Sequence, residues 1–259
     1  MKKVLLIIGI LVGLVVLSPF LLLGVYALDF VYYDANDNKA EKAALKYLEE
    51  KYGERFEIDD VEYNKILGDD EGAYTLSVHP VANPDITFGV DTTEKYQVIR
   101  DQYKENNWSE QFRKEMVPLI EPIFKGTGEF YVYGSFPSEL EEQYRFEDSY
   151  QTIYNENPHQ SYERIHLLNF DDTFDKEKEF QRNYQLWENI KDRKFSDNNI
   201  EIDYYPKALK KKLKTYPGLN EFENEHRQEK IYNCRFSKQE TQDKPITTPG
   251  DIEAFCRQM

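Results

Sequence analysis

Residues 38–63 read NKAEKAALKYLEEKYGERFEIDDVEY, and the change of period across Gly53 sets the class of the fold. Before it, Ala40, Ala44, Leu48 and Tyr52 recur at every fourth position, with Ala43 and Tyr47 widening the stripe. That is the period of one face of an α-helix, and Gly53 supplies the stop. After it come short extended segments, Phe56 to Tyr63, Ala73 to His79 and Ile86 to Val90, with Tyr96 to Ile99 as a candidate fourth. Tyr74, Leu76, Val78 and then Ile86, Phe88, Val90 alternate with smaller or polar residues. Alternation of this kind means one buried and one wet face, the pattern of an antiparallel meander. The link Gly68-Asp69-Asp70-Glu71-Gly72 has turn chemistry, and Pro80 and Pro84 bracket the next loop.

Working outward, a second amphipathic helix starts near Asn107, with Trp108, Phe112, Met116, Ile120 and Phe124 on one face and a kink or break expected at Pro118 and Pro122. Helix, meander and helix form one expected unit, residues 38–126, closed by Gly126-Thr127-Gly128. Residues 127–259 then alternate extended candidates (Phe130 to Phe136, Arg164 to Phe170, Ile200 to Tyr205, Lys230 to Phe236) with helical ones (Ser138 to Tyr154, Asp175 to Lys194, Pro206 to Glu229). A last short helix opens at Thr248-Pro249-Gly250-Asp251, where Thr caps, Pro fills the first turn and Asp completes a capping box. The expected fold is α+β, with a second α/β unit whose sheet is parallel or mixed.

Toward the N-terminus, Val4 to Leu28 are 25 residues without a charge, preceded by Lys2 and Lys3 and followed by Asp29. A helix of that length reaches about 37 Å, enough for the roughly 30 Å hydrocarbon core of a bilayer. Residues 1–28 are therefore expected as a transmembrane anchor, and Pro19 within it as a tolerated membrane proline. Residues 29–37 form a juxtamembrane connector whose Phe30, Tyr32 and Tyr33 suit the interfacial belt. The lysines place the N-terminus in the cytoplasm and the rest of the chain outside it, at a cell membrane crossed once. The competing reading is a cleaved secretory leader with Val25-Tyr26-Ala27 at the cut, but a leader's apolar core spans only about 7 to 15 residues.

The 259 residues hold 33 basic and 48 acidic side chains, a net charge of −15, and all the acids lie beyond residue 28. Such a surface repels phosphates, so nucleic acid is excluded as a partner. With 20 Tyr and 16 Phe, the core of the exterior part leans on aromatic rings, each burying roughly 150–250 Å² when interior.

The run Ala43-Ala44-Leu45-Lys46-Tyr47-Leu48-Glu49-Glu50-Lys51-Tyr52-Gly53-Glu54 with Phe56, and the later Val78-His79-Pro80-Val81-Ala82-Asn83-Pro84-Asp85 leading into Phe88 and Val90, resembles a pattern in uncharacterised, membrane-attached extracytoplasmic proteins of low-GC Gram-positive bacteria. The resemblance covers residues 36–126 and implies an anchored outward domain of helix plus meander. It implies no activity and no catalytic residues.

Chemical motifs are sparse. Asp34, Asn36 and Asn38 have the spacing of the first ligands of a calcium loop, but Lys39 stands where that loop needs Gly and Leu45 where it needs Glu, so they are expected to cap the first helix. Glu223 and His226 form an i, i+3 pair without the second pair a di-iron site needs. His79, His159 and His166 are isolated in sequence, and no HExxH, GxSxG, SxxK or CxxC occurs. Metal, cofactor and catalytic residues are accordingly not assigned. Cys234 and Cys256 lie in an oxidising space on this topology, where they form either a disulfide or two buried thiols. Lys207, Lys210, Lys211, Lys212 and Lys214 make the one basic cluster, read as a solvated helix face or as a contact for lipid headgroups or anionic wall polymers. The tyrosine pairs Tyr131 with Tyr133, Tyr150 with Tyr154 and Tyr204 with Tyr205 are read as core filler rather than as sugar-stacking platforms.

The function expected from all this is a membrane-anchored extracytoplasmic binding, interaction or structural module, whose partners are the lipid bilayer through residues 4–28 and an envelope or membrane protein or an anionic wall polymer. The alternative is a hydrolase of cell-wall glycan or peptide that works through an Asp/Glu pair. The sequence leans away from an enzyme.

Overall fold

The structure, a computed structural model of the chain, describes residues 24, 31, 37–66, 71–193, 197–216 and 219–259. Apart from Gly24, Val31 and Asp37, the apolar run and the connector expected in residues 1–37 lie outside the described residues, Asp34 and Asn36 among them. Among the described residues no helix is long and apolar enough to cross a membrane. The fold is mixed α+β with two sheets, and the chain divides into two compact units, Met1–Asn106 and Asn107–Met259.

In the first unit, helix α1 (Asp37–Tyr52) is followed by strands β1 (Phe56–Asn64), β2 (Ala73–Pro80), β3 (Phe88–Thr93) and β4 (Val98–Asp101). The strands form one antiparallel sheet in the order β1-β2-β3-β4. Ala40, Ala44 and Leu48 of α1 are buried, and Gly53 leaves the helix at φ 73°, in the left-handed region that favours glycine. The buried strand positions are the alternating Tyr74, Leu76, Val78 of β2 and Phe88, Val90 of β3. The segment expected at Tyr96 to Ile99 starts two residues later, because Tyr96 (φ 61°) sits in the turn that bonds back to Thr93.

Helix α2 (Tyr103–Phe124) carries Trp108, Phe112, Met116, Ile120 and Phe124, all buried in the main core of the second unit. Each buried side chain of this size contributes roughly 1.5–3 kcal/mol, so the stripe assigns the helix to the second unit and not to the meander. The domain boundary expected at residue 126 therefore moves to Asn106/Asn107. The helix runs through Pro118 and Pro122, both on its exposed side, where the carbonyls that lose a partner face solvent.

The second unit continues with β5 (Gly128–Ser135), α3 (Ser138–Gln143), α4 (Tyr150–Glu156), β6 (Tyr162–Phe170), α5 (Lys176–Ile190) and β7 (Asp197–Tyr205). After a turn of 3-10 helix come α6 (Lys210–Leu213), α7 (Leu219–His226), β8 (Tyr232–Ser237), α8 (Lys238–Asp243), the 3-10 helix Pro249–Phe255 and β9 (Cys256–Gln258). The sheet order is β5-β6-β7-β8-β9, antiparallel except for β6 and β7, which run parallel with α5 as their crossover. Two helices expected as single elements are broken. Between α3 and α4, Asp148 accepts from the Arg145 amide at 2.7 Å and Ser149 caps α4, while Pro217 and Gly218 fall between α6 and α7. The expected helix at Thr248 is a 3-10 helix with the Thr248/Asp251 capping box, and it delivers the unexpected edge strand β9.

The inner face of this sheet, with Val132, Ile165, Leu167, Ile200, Ile202 and Phe236, packs against the apolar sides of α2 and α5. Gly134 is required there, since a Cβ at that position would stand 2.8 Å from the ring of fully buried Phe112.

Candidate functional site

Strand register decides which side chains reach the other face. Tyr131 lies opposite His166 and Tyr133 opposite Arg164 on β5 and β6. Arg164 and His166 are level with Asn199 and Glu201 of β7, and Glu201 and Asp203 pair with Arg235 and Asn233 of β8. Asn233 in turn pairs with Arg257 of β9. Opposite residues in a ladder share a face, so one polar and aromatic surface runs across all five strands.

One end of that surface is closed. Leu209 and Phe222, from the segment between β7 and β8, form a small core with Leu168, Phe170 and Tyr205, with Leu213 packed beside it. Under this cover His166, 3% exposed, and Asp203, 0% exposed, meet Glu223 of α7 and Lys230. His166 Nε2 lies 3.2 Å from Asp203 Oδ2 and 3.4 Å from Glu223 Oε1. Lys230 Nζ donates to Asp203 Oδ2 at 2.6 Å and stands 3.7 Å from Glu223 Oε1, and Asn233 Nδ2 donates to Asp203 Oδ1 at 2.6 Å. Burial opposes a charge on His166, but hydrogen bonding to Asp203 and Glu223 outweighs it and pushes the ring up to about 9. Burial would likewise raise Asp203, yet the hydrogen bonds it receives from His166, Lys230 and Asn233 hold it well below the usual carboxylate range.

Among the described residues, His166, Asp203 and Glu223 are the group whose ligand atoms converge as a metal site would require, within 4.8 Å of one another. Lys230 already sits against both carboxylates. With His166 protonated, two cations face two carboxylates, so a divalent ion would have to displace the ammonium and strip the ring of its proton. The quartet behaves as a closed ion-pair cluster rather than as a metal centre.

The other half of the face is open. Tyr131 is 47% exposed and Tyr162 49%, and the rings of Tyr131 and Tyr133 lie 6.2 Å apart and within 8° of parallel. Arg164 is about half exposed and stands 3.7 Å from Glu201, beyond hydrogen-bond reach. Arg235 Nε donates to Asn199 Oδ1 at 3.2 Å. At the β8–β9 end the face opens into a hollow of about 440 Å³ lined by Arg235, Glu240, Asp243, Lys244 and Arg257, among others.

Two further acids lie on the inner side of the sheet. Burial pushes the Glu163 carboxyl up to about 7, against the opposing pull of Arg193, and Tyr150 donates to it at 2.7 Å. Burial also raises Glu179, which Arg182 contacts at 2.9 Å and Asn169 at 3.2 Å. Each is enclosed by core rather than aimed into an open cleft.

The residues singled out in the sequence scatter over the molecule. Glu223 and His226 do not converge: Glu223 joins the buried quartet, while His226 turns to Tyr216 at 3.1 Å and Glu229 at 2.7 Å. His79 lies on the outer face of the first sheet beside Asp59 at 3.0 Å, and His159 is exposed after α4. Asn38 and Lys39 fall in the first turn of α1 and face outward. Cys234 and Cys256, directly opposite each other on β8 and β9, are joined in a disulfide. Lys207, Lys211, Lys212 and Lys214 are exposed, and Lys210 reaches Glu129 at 3.2 Å. Tyr150, Tyr204 and Tyr205 are core, but Tyr131 is not, because Phe130 and Val132 take the inward positions of β5. The quartet escapes sequence reasoning because its four members come from β6, β7, α7 and the segment before β8, and no spacing in the sequence links them.

No protein-family model and no curated protein matches the chain. Among solved structures it is similar to a DUF5037 family protein from Ruminococcus gnavus ATCC 29149, with 18% identity and a TM-score of 0.50 over 76% of this chain and 89% of that one. At that identity the likeness concerns the fold alone.

Proposed function

We propose that the chain is a membrane-anchored recognition module, held with its N-terminus in the cytoplasm by residues 4–28, and that it takes its ligand across the open face of the five-stranded sheet outside the cell. The observation that carries this reading is the one-sidedness of that sheet: its inner face is sealed by helices, while on the other face Tyr131, Tyr162 and Arg164 are exposed beside half-buried Tyr133. Aromatic rings and arginines of this kind are the residues most often found at the centre of binding surfaces. Anchoring adds to this, because confinement raises the effective concentration of the module for neighbours in the same envelope.

A hydrolase of wall glycan or peptide draws less support. Its acid needs a raised pKa beside a second carboxylate in an accessible cleft. Glu163 and Glu179, the raised carboxyls, are enclosed on the inner side, and Asp203 is held ionised within the quartet.

The test is site-specific photocrosslinking on intact cells, with the reactive residue placed at Tyr133 or, for comparison, at Thr75 on the outer face of the first sheet. Adducts that form at position 133 and not at 75 support the reading, and equal adducts at both sites overturn it. Protease shaving of the same cells checks the topology: digestion of the exterior part is expected, and full protection would sink the proposed orientation.

A further inference from the structure

We infer that the open face of the second sheet binds a sugar polymer that carries negative charge. This rests on the reading of that face as the ligand surface and narrows it to one class of ligand.

The aromatic part of the argument starts from shape. Tyr131 and Tyr133 project in parallel from alternate positions of β5, and Tyr162 stands on the neighbouring strand two positions from Arg164. Each offers a flat apolar face with a hydroxyl at its edge. A pyranose is built the same way, with a C–H-rich face and a rim of hydroxyls, so a sugar ring suits a tyrosine ring, and the Tyr131–Tyr133 stack and Tyr162 offer separate places for rings of one polymer. These side chains lie on the face away from the main core, whose β5 contributions are Phe130 and Val132.

Charge supplies the second part. The chain carries −15 overall, so most of its surface repels a polyanion. On the open part of this face acids no longer dominate. Arg164, Arg235 and Arg257 stand among Glu201 and Asp197, Asp203 is matched within the buried quartet, and the next acid along β5, Glu129, is paired with Lys210. Just past Lys210, α6 exposes Lys211 and Lys212, with Lys214 following. Arg164 opposite Tyr133 and Lys210 beside Glu129 thus flank the tyrosines with positive charge on an acidic molecule, and the guanidinium fork suits carboxylate and phosphate alike. The hollow of about 440 Å³ at the far end, where Arg235, Lys244 and Arg257 stand with Glu240 and Asp243, falls within the roughly 300–1,000 Å³ range of small-ligand sites and has room for a terminal ring.

The experiment measures fluorescence anisotropy of labelled polymers with the full chain in detergent micelles. Polygalacturonate supplies charged sugar, neutral dextran sugar without charge, and inorganic polyphosphate charge without sugar. Polygalacturonate is expected to bind at least tenfold more tightly than either of the others, and to weaken by a further tenfold or more between low and high salt. Tyr131→Ala and Arg164→Ala should each weaken it roughly tenfold, while Lys46→Ala on α1 leaves it unchanged. Circular dichroism of each variant verifies that it is folded. Equal binding of dextran would show that charge is not read, and equal binding of polyphosphate that the tyrosines are not; either result overturns the inference. A single-stranded oligonucleotide that outbinds polygalacturonate overturns it as well. If none of the polymers binds while position 133 still crosslinks on cells, the class of ligand is wrong and the face itself stands. Failure of both assays removes the face.

Discussion

The outer face of the β1–β4 sheet carries Glu57, Asp60, Glu62 and Asp91 with one arginine, Arg100, among Thr75, Ser77 and His79, whereas the outer face of the β5–β9 sheet carries three tyrosines and sets three arginines among Glu129, Glu201 and Asp203. Both sheets bury one side under helices, so both satisfy the demand that folding makes on a sheet. The first outer face matches the acidity of the chain and the second departs from it. The proposed recognition role rests on that departure. The units also differ in how they hold buried charge. In the first, Asp101 is tied by neutral and cationic donors from one helix, with Tyr52 at 2.6 Å, Lys51 at 2.7 Å and Tyr47 at 3.1 Å. The second encloses two opposing pairs, His166 and Lys230 with Asp203 and Glu223.

That contrast breaks most sharply at Lys230. Lys230→Met leaves Asp203 and Glu223 buried with one cation fewer, and the second unit should lose about 3–5 kcal/mol. Both tryptophans of the chain, Trp108 and Trp187, are in that unit, so tryptophan fluorescence during urea unfolding reads it selectively. A loss below about 1 kcal/mol would mean that the quartet does not depend on its lysine.

Next in size is the response to pH. Glu163 and His166 hold their protons more tightly in the folded state, at about 7 against an ordinary 4.5 and about 9 against 6.5. Their contributions are therefore complete below the ordinary values and drain away as pH rises through the folded ones, each window worth of order 3 kcal/mol. Tryptophan-reported stability should fall between pH 4.5 and 9, and Glu163→Gln should flatten the lower half of that fall. Asp101 is lowered in the folded state: burial would raise it, but hydrogen bonds from Lys51 and Tyr52 prevail. Its contribution is present above the ordinary 3.8 and lost as pH drops through the folded value, so it adds no slope to the first unit between pH 4.5 and 9. A first unit that weakened in parallel with the second over that range would erase the distinction.

Smaller still, Asp101→Asn should cost the first unit about 1–3 kcal/mol, seen as faster hydrogen exchange in β2 and β3 with unchanged tryptophan unfolding. The smallest effect on stability belongs to Tyr131→Ala, within about 0.5 kcal/mol, because its ring is half exposed. If that change destabilised the unit as a core substitution does, the tyrosines would be structural and the contrast between the two outer faces would lose its meaning.

Much of the first unit is legible in the sequence because its signals are local. Ala40, Ala44 and Leu48 declare a helix face, and Tyr74, Leu76 and Val78 declare a strand face, within a single window each. The illegible parts depend on partners chosen in three dimensions. The stripe of α2 is plain in the sequence, but a stripe does not say which sheet it will cover. On β5 the run Phe130-Tyr131-Val132-Tyr133 offers two aromatic or apolar faces, and only packing against α2 selects Val132 for the inside. Strand β9 is three residues long, too short for any period, and exists through its pairing with β8. Pro217-Gly218 is a turn signal plain in the residues themselves, and a helical reading of Pro206 to Glu229 passes over it.

The close approach of Phe112 to Gly134 also has a genetic meaning. The glycine lies next to Tyr133, so the path of β5 beneath that ring depends on the fit of a phenylalanine on the opposite side of the strand. Gly134→Ala should bow the strand and, if the tyrosine face is the proposed ligand surface, weaken capture without changing any of the tyrosines. A screen for suppressors of that allele should then return smaller side chains at position 112, on the opposite side of the sheet from the tyrosines.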